Sequence, residues 1–171
     1  MPQDRNRQTR DASAAPEPSL AERAKALLSR ERIGSLATMS QKHQGWPFGS
    51  MMPYALDAQG APIFFISTMA MHTKNLAAEP RASLMVADAS AGEDPLGAAR
   101  VTVMGRVLRA PQDERAALRD LYLARHPTAK DWMDFGDFAF YRMEIVELYY
   151  VGGFGVMGWV AAGDYQGHSP G

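Results

Sequence analysis

The sequence contains no cysteine among its 171 residues. This absence excludes disulfide bonds, thiolate zinc sites, iron–sulfur clusters and cysteine nucleophiles. No apolar run approaches the roughly 18–20 residues that span a bilayer, and the start lacks the basic and apolar regions of a secretory signal. We therefore expect a cytoplasmic protein that has no membrane partner.

An excess of charge of one sign is also missing. Eighteen Lys and Arg residues oppose nineteen Asp and Glu residues, so no overall electrostatic field would attract nucleic acid. The four histidines are scattered, and no carboxylate cluster lies near them in the sequence, so no metal site is expected. What is present is a composition with 46% hydrophobic residues, which is enough to bury the core of one domain.

The two ends of the chain differ in composition from its middle. Residues 1–18 contain no aromatic residue and, apart from Met1, nothing apolar larger than alanine and proline, which predicts a disordered tail. Ser19 and Glu22 have the spacing of a capping box, and an apolar helical face follows, which predicts a helix over 19–30. We predict one domain over 19–162 and a flexible polar tail over 163–171.

The patterns inside this domain favour strands over helices. Apolar runs predict strands at 35–38, 48–57, 62–66, 82–87, 100–109 and 138–151, whereas helices are predicted near 73–79 and 111–125. Pro53 is expected at an edge or a bulge, and Gly105 is expected at a bulge. Because the strands are joined mainly by short turns, we predict a mainly β (α+β) fold, an antiparallel sheet or barrel with peripheral helices.

One segment concentrates groups that suit an anion. Residues 66–76, ISTMAMHTKNL, leave a strand and enter a helix while carrying Ser67, His72, Thr73 and Lys74. Hydroxyl groups, a cation and the free N–H groups of a helix start predict a phosphate site. The alternative is that Thr73 only caps the helix and that its neighbours are solvated.

Four segments together resemble the FMN-binding split-barrel proteins related to pyridoxamine 5′-phosphate oxidase, and within them the haem-utilisation and CREG-like branch. These segments are PFGSMMPYALD (47–57), ISTMAMHTKNLAAEPRASL (66–84), ARVTVMGRV (99–107) and VGGFGVMGWV (151–160). The resemblance implies a six-stranded antiparallel split β-barrel, usually a homodimer with FMN at the subunit interface. The cofactor-binding residues that it implies are Gly49, Ser50, Met51, Met52, Ser67, His72, Thr73, Lys74, Asn75, Arg100, Gly153, Phe154 and Trp159.

The same resemblance implies an FMN-dependent oxidoreductase that acts on a small-molecule substrate or electron acceptor. No catalytic residue is assigned, because the flavin itself carries the redox chemistry. The alternatives are a haem-binding or haem-utilisation protein and a non-catalytic flavin-binding module. Residues 156–171 contain no arginine, whereas pyridoxamine phosphate oxidases carry a basic substrate motif near their C-terminus, so pyridoxal phosphate synthesis is not expected.

Overall fold

The structure, a computed structural model, describes residues 16–167 of the chain. The strands are β1 (Ile33–Met39), β2 (Pro47–Pro53), β3 (Ala55–Leu56), β4 (Pro62–Ser67), β5 (Arg81–Ala87), β6 (Arg100–Arg109), β7 (Phe138–Val151) and β8 (Met157–Ala161). The helices are α1 (Leu20–Arg30), α2 (Met71–Ala78), α3 (Arg115–Arg125) and α4 (Ala162–Gly167). Most of the predicted N-terminal tail, residues 1–15, lies outside the described residues.

All eight strands belong to one antiparallel sheet, which confirms the predicted fold class. Its order is β2-β1-β5-β6-β7-β4-β3, and β8 pairs with the second half of β7. Strands β2 and β3 lie at opposite ends of this order, although Tyr54 alone separates them in sequence. The covalent chain therefore links the two ends of the sheet, and the sheet curls into a split barrel.

The strand count differs from the predicted six for two reasons. The strand predicted over 48–57 is divided at Tyr54, whose backbone N–H leaves the ladder and donates to the carbonyl of Arg32 at 3.1 Å. The preceding Pro53 cannot donate a ladder hydrogen bond, which suits this break. Strand β8 forms in a glycine-rich stretch for which no strand was predicted, because Gly153 and Gly155 adopt φ values of 98° and 81° and turn the chain back along β7.

The barrel interior holds the main apolar core, and α1 covers part of it. The capping box at the start of α1 is confirmed, since Ser19 Oγ accepts from the Glu22 N–H at 3.2 Å and the Glu22 carboxylate accepts from the Ser19 N–H at 2.7 Å. The predicted bulge is confirmed as well, because the register between β6 and β7 shifts at Gly105. A Cβ atom on Gly105 would lie 2.3 Å from the Glu144 carbonyl oxygen, so β7 approaches too closely for any other residue.

The C-terminal residues differ from the predicted flexible tail. Residues 162–167 form α4, and the Tyr165 side chain is fully buried beneath it. The Tyr165 hydroxyl donates to the Gly60 carbonyl at 2.8 Å, which attaches α4 to the turn between β3 and β4. An aromatic anchor with a satisfied hydroxyl orders this segment despite its polar composition. Residues 168–171 lie outside the described part of the chain.

Candidate functional site

The predicted phosphate segment forms the junction between β4 and α2, here called the α2 junction (residues 67–75). Ser67 Oγ donates to the Asp137 carboxylate at 2.6 Å, and Thr73 Oγ1 donates to the Ser67 carbonyl at 2.6 Å. Both hydroxyl protons are therefore directed at protein acceptors. The carboxylate of Asp137 also brings a negative charge to the place where a phosphate was predicted.

Asn75 is fully buried within the same helix and joins it to β1. Its amide nitrogen donates to Thr38 Oγ1 at 3.0 Å, and its amide oxygen accepts from the Gln41 N–H at 2.9 Å. Both ends of the amide are thus paired with protein groups, and the side chain has no exposed surface. Asn75 holds the turn between β1 and β2 against α2.

His72 and Lys74 are the two basic residues of the α2 junction. Within the described part of the chain, His72 Nε2 is buried and has no hydrogen-bond partner. Burial lowers the pKa of His72, so the imidazole is neutral at neutral pH and offers one N–H donor at most. Lys74 is exposed on the opposite side of this helical turn.

The remaining predicted residues lie near the outer surface of the sheet, at opposite edges. Gly49, Ser50 and Met51 are on β2, whereas the Met52 side chain is 2% exposed and packs in the barrel core. A cofactor contact of Met52 would therefore involve its backbone and not its side chain. At the other edge, Trp159 of β8 is 58% exposed and packs edge-on against Tyr149, with ring centroids 4.9 Å apart.

Arg100 and the turn between β7 and β8 form a separate group near that second edge. The Arg100 guanidinium approaches the carbonyls of Pro95, Leu96 and Ala98 at 3.5, 3.4 and 3.3 Å, so it is largely directed at its own loop. Gly153 packs beside Gly97, and the adjacent Phe154 is 85% exposed. The structure thus distributes the predicted site residues over four places, the α2 junction, β2, β8 and the region around Arg100.

The outward side chains of β2, β1, β5, β6, β7 and β8 form a broad surface, here called the outer face. Cross-strand pairing aligns these side chains in rows. One row consists of Gly49, Ala37, Ser83 and Met104, and the next contains Met51, Ser35, Met85 and Thr102. Large apolar side chains on this face are exposed, including Ile33, Met51, Met85, Val146, Met157 and Trp159. An apolar surface of this extent is typical of an interaction or ligand site.

Two grooves cross the outer face. Groove A has a volume of about 690 Å³ and is lined, mainly with apolar groups, by Ala37, Thr38, Met39, Pro47, Arg81, Ala82, Ser83, Met104, Gly105, Arg106 and Val146. Groove B, of about 500 Å³, is lined by Ile33, Gly34, Ser35, Gly49, Ser50, Met51, Met85 and Ala87. The outward side chains of Ala37 on β1 and Ser83 on β5, together with Met104 on β6, form the floor of groove A.

Two arginines place positive charge at one end of groove A. Arg81 of β5 and Arg106 of β6 face each other in the ladder. The Arg81 guanidinium also donates to both carboxylate oxygens of Glu79, at 2.9 and 2.8 Å, and these hydrogen bonds lower the pKa of Glu79 to about 2. The groove therefore combines an apolar floor with cationic groups at one rim.

Sequence reasoning did not identify groove A as a site. Groove A could have been predicted from the alternation of side chains along the strands. Buried core residues alternate with Ala37 and Met39 on β1 and with Ser83 on β5, so these three side chains face outward. Small and apolar residues at exposed positions of adjacent strands are what a groove requires. Their proximity, however, depends on the pairing of β1 with β5, which lie more than 40 residues apart.

The chain is similar in sequence to proteins of one known family. Residues 16–167 match the family model for the CREG β-barrel. The chain is 43% identical, over 132 residues, to the chloroplastic heme oxygenase HOZ of Arabidopsis thaliana, covering 77% of this chain and 40% of HOZ. It is 27% identical, over 159 residues, to protein CREG2 of Mus musculus, covering 84% of this chain and 55% of CREG2.

A solved structure is also similar over most of the described chain. The heme-binding protein from Mycobacterium smegmatis superposes with a TM-score of 0.82 at 37% identity, covering 90% of this chain and 62% of that protein. The chain thus spans about 40 to 60% of the length of these relatives. Among residues 16–167, no helix combines the length and apolar character needed to cross a membrane.

Proposed function

Because this chain belongs to the CREG β-barrel family, we propose that it is a haem-binding split-barrel protein that holds haem in groove A. The observation that carries this proposal is the pairing of an apolar floor with Arg81 and Arg106 at one rim. Two relatives whose names refer to heme, from Arabidopsis thaliana and Mycobacterium smegmatis, support the choice of ligand.

The residues of groove A fit the chemistry of haem. A porphyrin is a flat apolar ring with two propionate groups on one edge, so it needs an apolar surface and nearby cations. Ala37, Ser83 and Met104 offer a low surface for the ring. Arginine is the cation best suited to carboxylates, because its guanidinium can donate two parallel hydrogen bonds. Arg81 and Arg106 would hold the propionates.

Haem would supply redox and oxygen chemistry when bound, and the protein would supply binding, orientation and shielding from water. The apolar lining of groove A would exclude water from one face of the ring. The arginines would fix the orientation of the ring within its plane. The oxidoreductase activity predicted from the sequence is FMN-dependent, so it stays a prediction that depends on flavin binding rather than on haem binding.

We also propose that the outer face pairs with the outer face of a second copy. Exposed Met51 (81%) and Val146 (64%) leave apolar surface uncovered in the single chain. The residues predicted to contact a cofactor lie at opposite edges of this face, Gly49 on β2 and Trp159 on β8. A twofold arrangement can bring β8 of one subunit to β2 of the other and complete two equivalent sites.

Titration of the purified protein with haemin tests the proposal. We expect a stoichiometric Soret shift for the wild-type protein. Replacing both Arg81 and Arg106 by alanine should weaken binding at least tenfold, which corresponds to about 1.4 kcal/mol. Arg109→Ala is the matched control, since this arginine is on β6 but does not line groove A. Absence of any Soret shift for the wild type would contradict haem binding.

FMN is the second candidate ligand, and groove B favours it. Three of the residues implied by the family resemblance, Gly49, Ser50 and Met51, line groove B together. The phosphate would then depend on His72 and Lys74, because the hydroxyl protons of Ser67 and Thr73 are directed at protein acceptors.

Comparison of FMN with riboflavin tests this second candidate. His72→Ala combined with Lys74→Ala leaves the Thr73 hydrogen bond intact. It should weaken FMN binding at least tenfold and leave riboflavin, which lacks the phosphate, unchanged. Equal weakening of both ligands would exclude the α2 junction as the phosphate site, and absence of flavin binding by the wild type would exclude flavin.

A further inference from the structure

The iron-binding groups available in groove A are unusual for a haem site. Within the described chain, its lining contains no histidine, tyrosine or carboxylate, and the thioether sulfurs of Met39 and Met104 are its soft donor atoms. Methionine sulfur is an established ligand of haem iron in other proteins. If haem binds as proposed above, these two methionines are therefore the candidate iron ligands within groove A.

The described histidines are placed elsewhere. His126 Nε2 is 2.8 Å from the Tyr54 carbonyl oxygen and is thus engaged within the fold. His72 is at the α2 junction, at the opposite end of α2 from Glu79 and Arg81. At 1.5 Å per residue, this eight-residue helix separates the two places by about 12 Å. His43 lies in the turn between β1 and β2, outside the lining of groove A.

Position along the strands distinguishes Met104 from Met39. Met104 is two residues before Arg106 on β6, and its ladder partner Ser83 is two residues after Arg81 on β5. It is therefore one row inward from both arginines, a distance of about 7 Å at 3.3–3.4 Å per residue. Met39 is one row beyond Ala37 on β1, level with the charged rim.

This offset matches the shape of haem. The propionates extend from one edge of the ring, and the iron is at its centre, away from that edge. With Arg81 and Arg106 at the propionates, the ring centre would lie over the row of Ser83 and Met104. Side chains on a sheet stand roughly perpendicular to it, so the Met104 thioether would face a ring that lay flat in the groove.

We propose that the Met104 thioether is the axial ligand that this chain contributes to haem iron. The inference rests on the proposed haem binding in groove A. Thioether ligation favours the ferrous state and raises the reduction potential relative to ligation by imidazole or thiolate. Met104 is thus the residue that would set the potential of the bound haem.

Substitution by leucine isolates the sulfur, because leucine preserves most of the apolar volume. In Met104→Leu, the thioether-to-iron charge-transfer band of the ferric protein should be lost and the reduction potential should fall. Haemin affinity should change less than threefold. Met157→Leu is the matched control, since this methionine is exposed on the same outer face but lines neither groove, and it should retain the wild-type spectrum.

The possible outcomes test the iron-ligand assignment separately from haem binding. A wild type that binds haemin without a thioether band, or a band that persists in Met104→Leu, would overturn the ligand assignment and leave haem binding intact. A band lost in Met39→Leu instead would move the ligand to the charged rim and also overturn it. Loss of the iron ligand in His43→Ala or His168→Ala would identify an imidazole. Absence of haemin binding by the wild type would reject both proposals.

Discussion

The α2 junction and groove A use polar residues in opposite ways. At the α2 junction, Ser67, Thr73 and Asn75 direct their hydrogen bonds at other parts of the protein. In groove A, the floor is apolar, and the arginines at its rim face solvent. A concentration of polar side chains in the sequence can therefore stabilise the fold through internal hydrogen bonds, whereas the surface suited to a ligand has few polar side chains.

Replacing Asn75 by alanine should produce the largest effect. The change leaves the Gln41 N–H without its acceptor and the buried Thr38 Oγ1 without a donor, and it opens a cavity at a fully buried position. An unpaired buried polar group costs about 1–3 kcal/mol, so the free energy of unfolding should fall by about 2–4 kcal/mol. Urea denaturation measures this loss.

Lys74→Ala is the control on the same helix. Its side chain is exposed, so the free energy of unfolding should change by less than about 0.5 kcal/mol. If Asn75→Ala were equally mild and instead removed ligand binding, the α2 junction would be a binding site rather than a structural element, and the comparison would be reversed.

The second-largest effect is expected from a substitution on the outer face that weakens dimerisation. Met85 lies near its middle and is 46% exposed in the single chain. Met85→Glu would bury a charge in the proposed interface between two copies, so dimerisation should weaken at least 100-fold, or by about 2.7 kcal/mol. Sedimentation equilibrium at several concentrations measures this change.

A matching substitution on α3, away from the outer face, shows whether the weaker dimerisation comes from the loss of apolar surface in general. Leu121 on α3 is exposed to a similar degree, 41%, and Leu121→Glu should leave the association state unchanged. A wild type that is monomeric at micromolar concentration would contradict the proposed pairing of outer faces.

The smallest effect concerns the ion pair at the rim of groove A. Glu79 competes with an incoming carboxylate for Arg81, and because its pKa is lowered to about 2, it stays ionised at every working pH. Glu79→Gln should therefore raise haemin affinity about two- to fivefold, since exposed ion pairs contribute little. Glu93→Gln, in the loop before β6, should have no effect in the same titration. An unchanged affinity in Glu79→Gln would contradict this competition for Arg81.

Local patterns were sufficient to predict much of the fold. The capping box of α1, the bulge at Gly105 and the long strand β7 depend on neighbouring residues in the sequence, and the structure contains all three. The division at Tyr54 and the order of α4 depend on distant partners instead, the Arg32 carbonyl and the Gly60 carbonyl. No local pattern contains that information.

The candidate site also depends on contacts between residues that are distant in the sequence. Ser67 looks like an anion donor in the sequence, but its acceptor Asp137 is 70 residues away. Groove A is likewise assembled from strands that are brought together by the sheet order. The residue types needed for a phosphate site could be recognised from the sequence, whereas the direction of each donor could not.

Methyl NMR of the protein labelled with [¹³C-methyl]methionine tests the central claim most directly, because methionines mark both regions. Met39 and Met104 line groove A, whereas Met69 and Met71 belong to the α2 junction and are 72% and 40% exposed. Methionine-to-leucine variants assign the four signals, and ferric haemin broadens the signals nearest to it. The account predicts that Met39 and Met104 broaden first while Met69 and Met71 stay sharp; broadening of Met69 and Met71 first would contradict it.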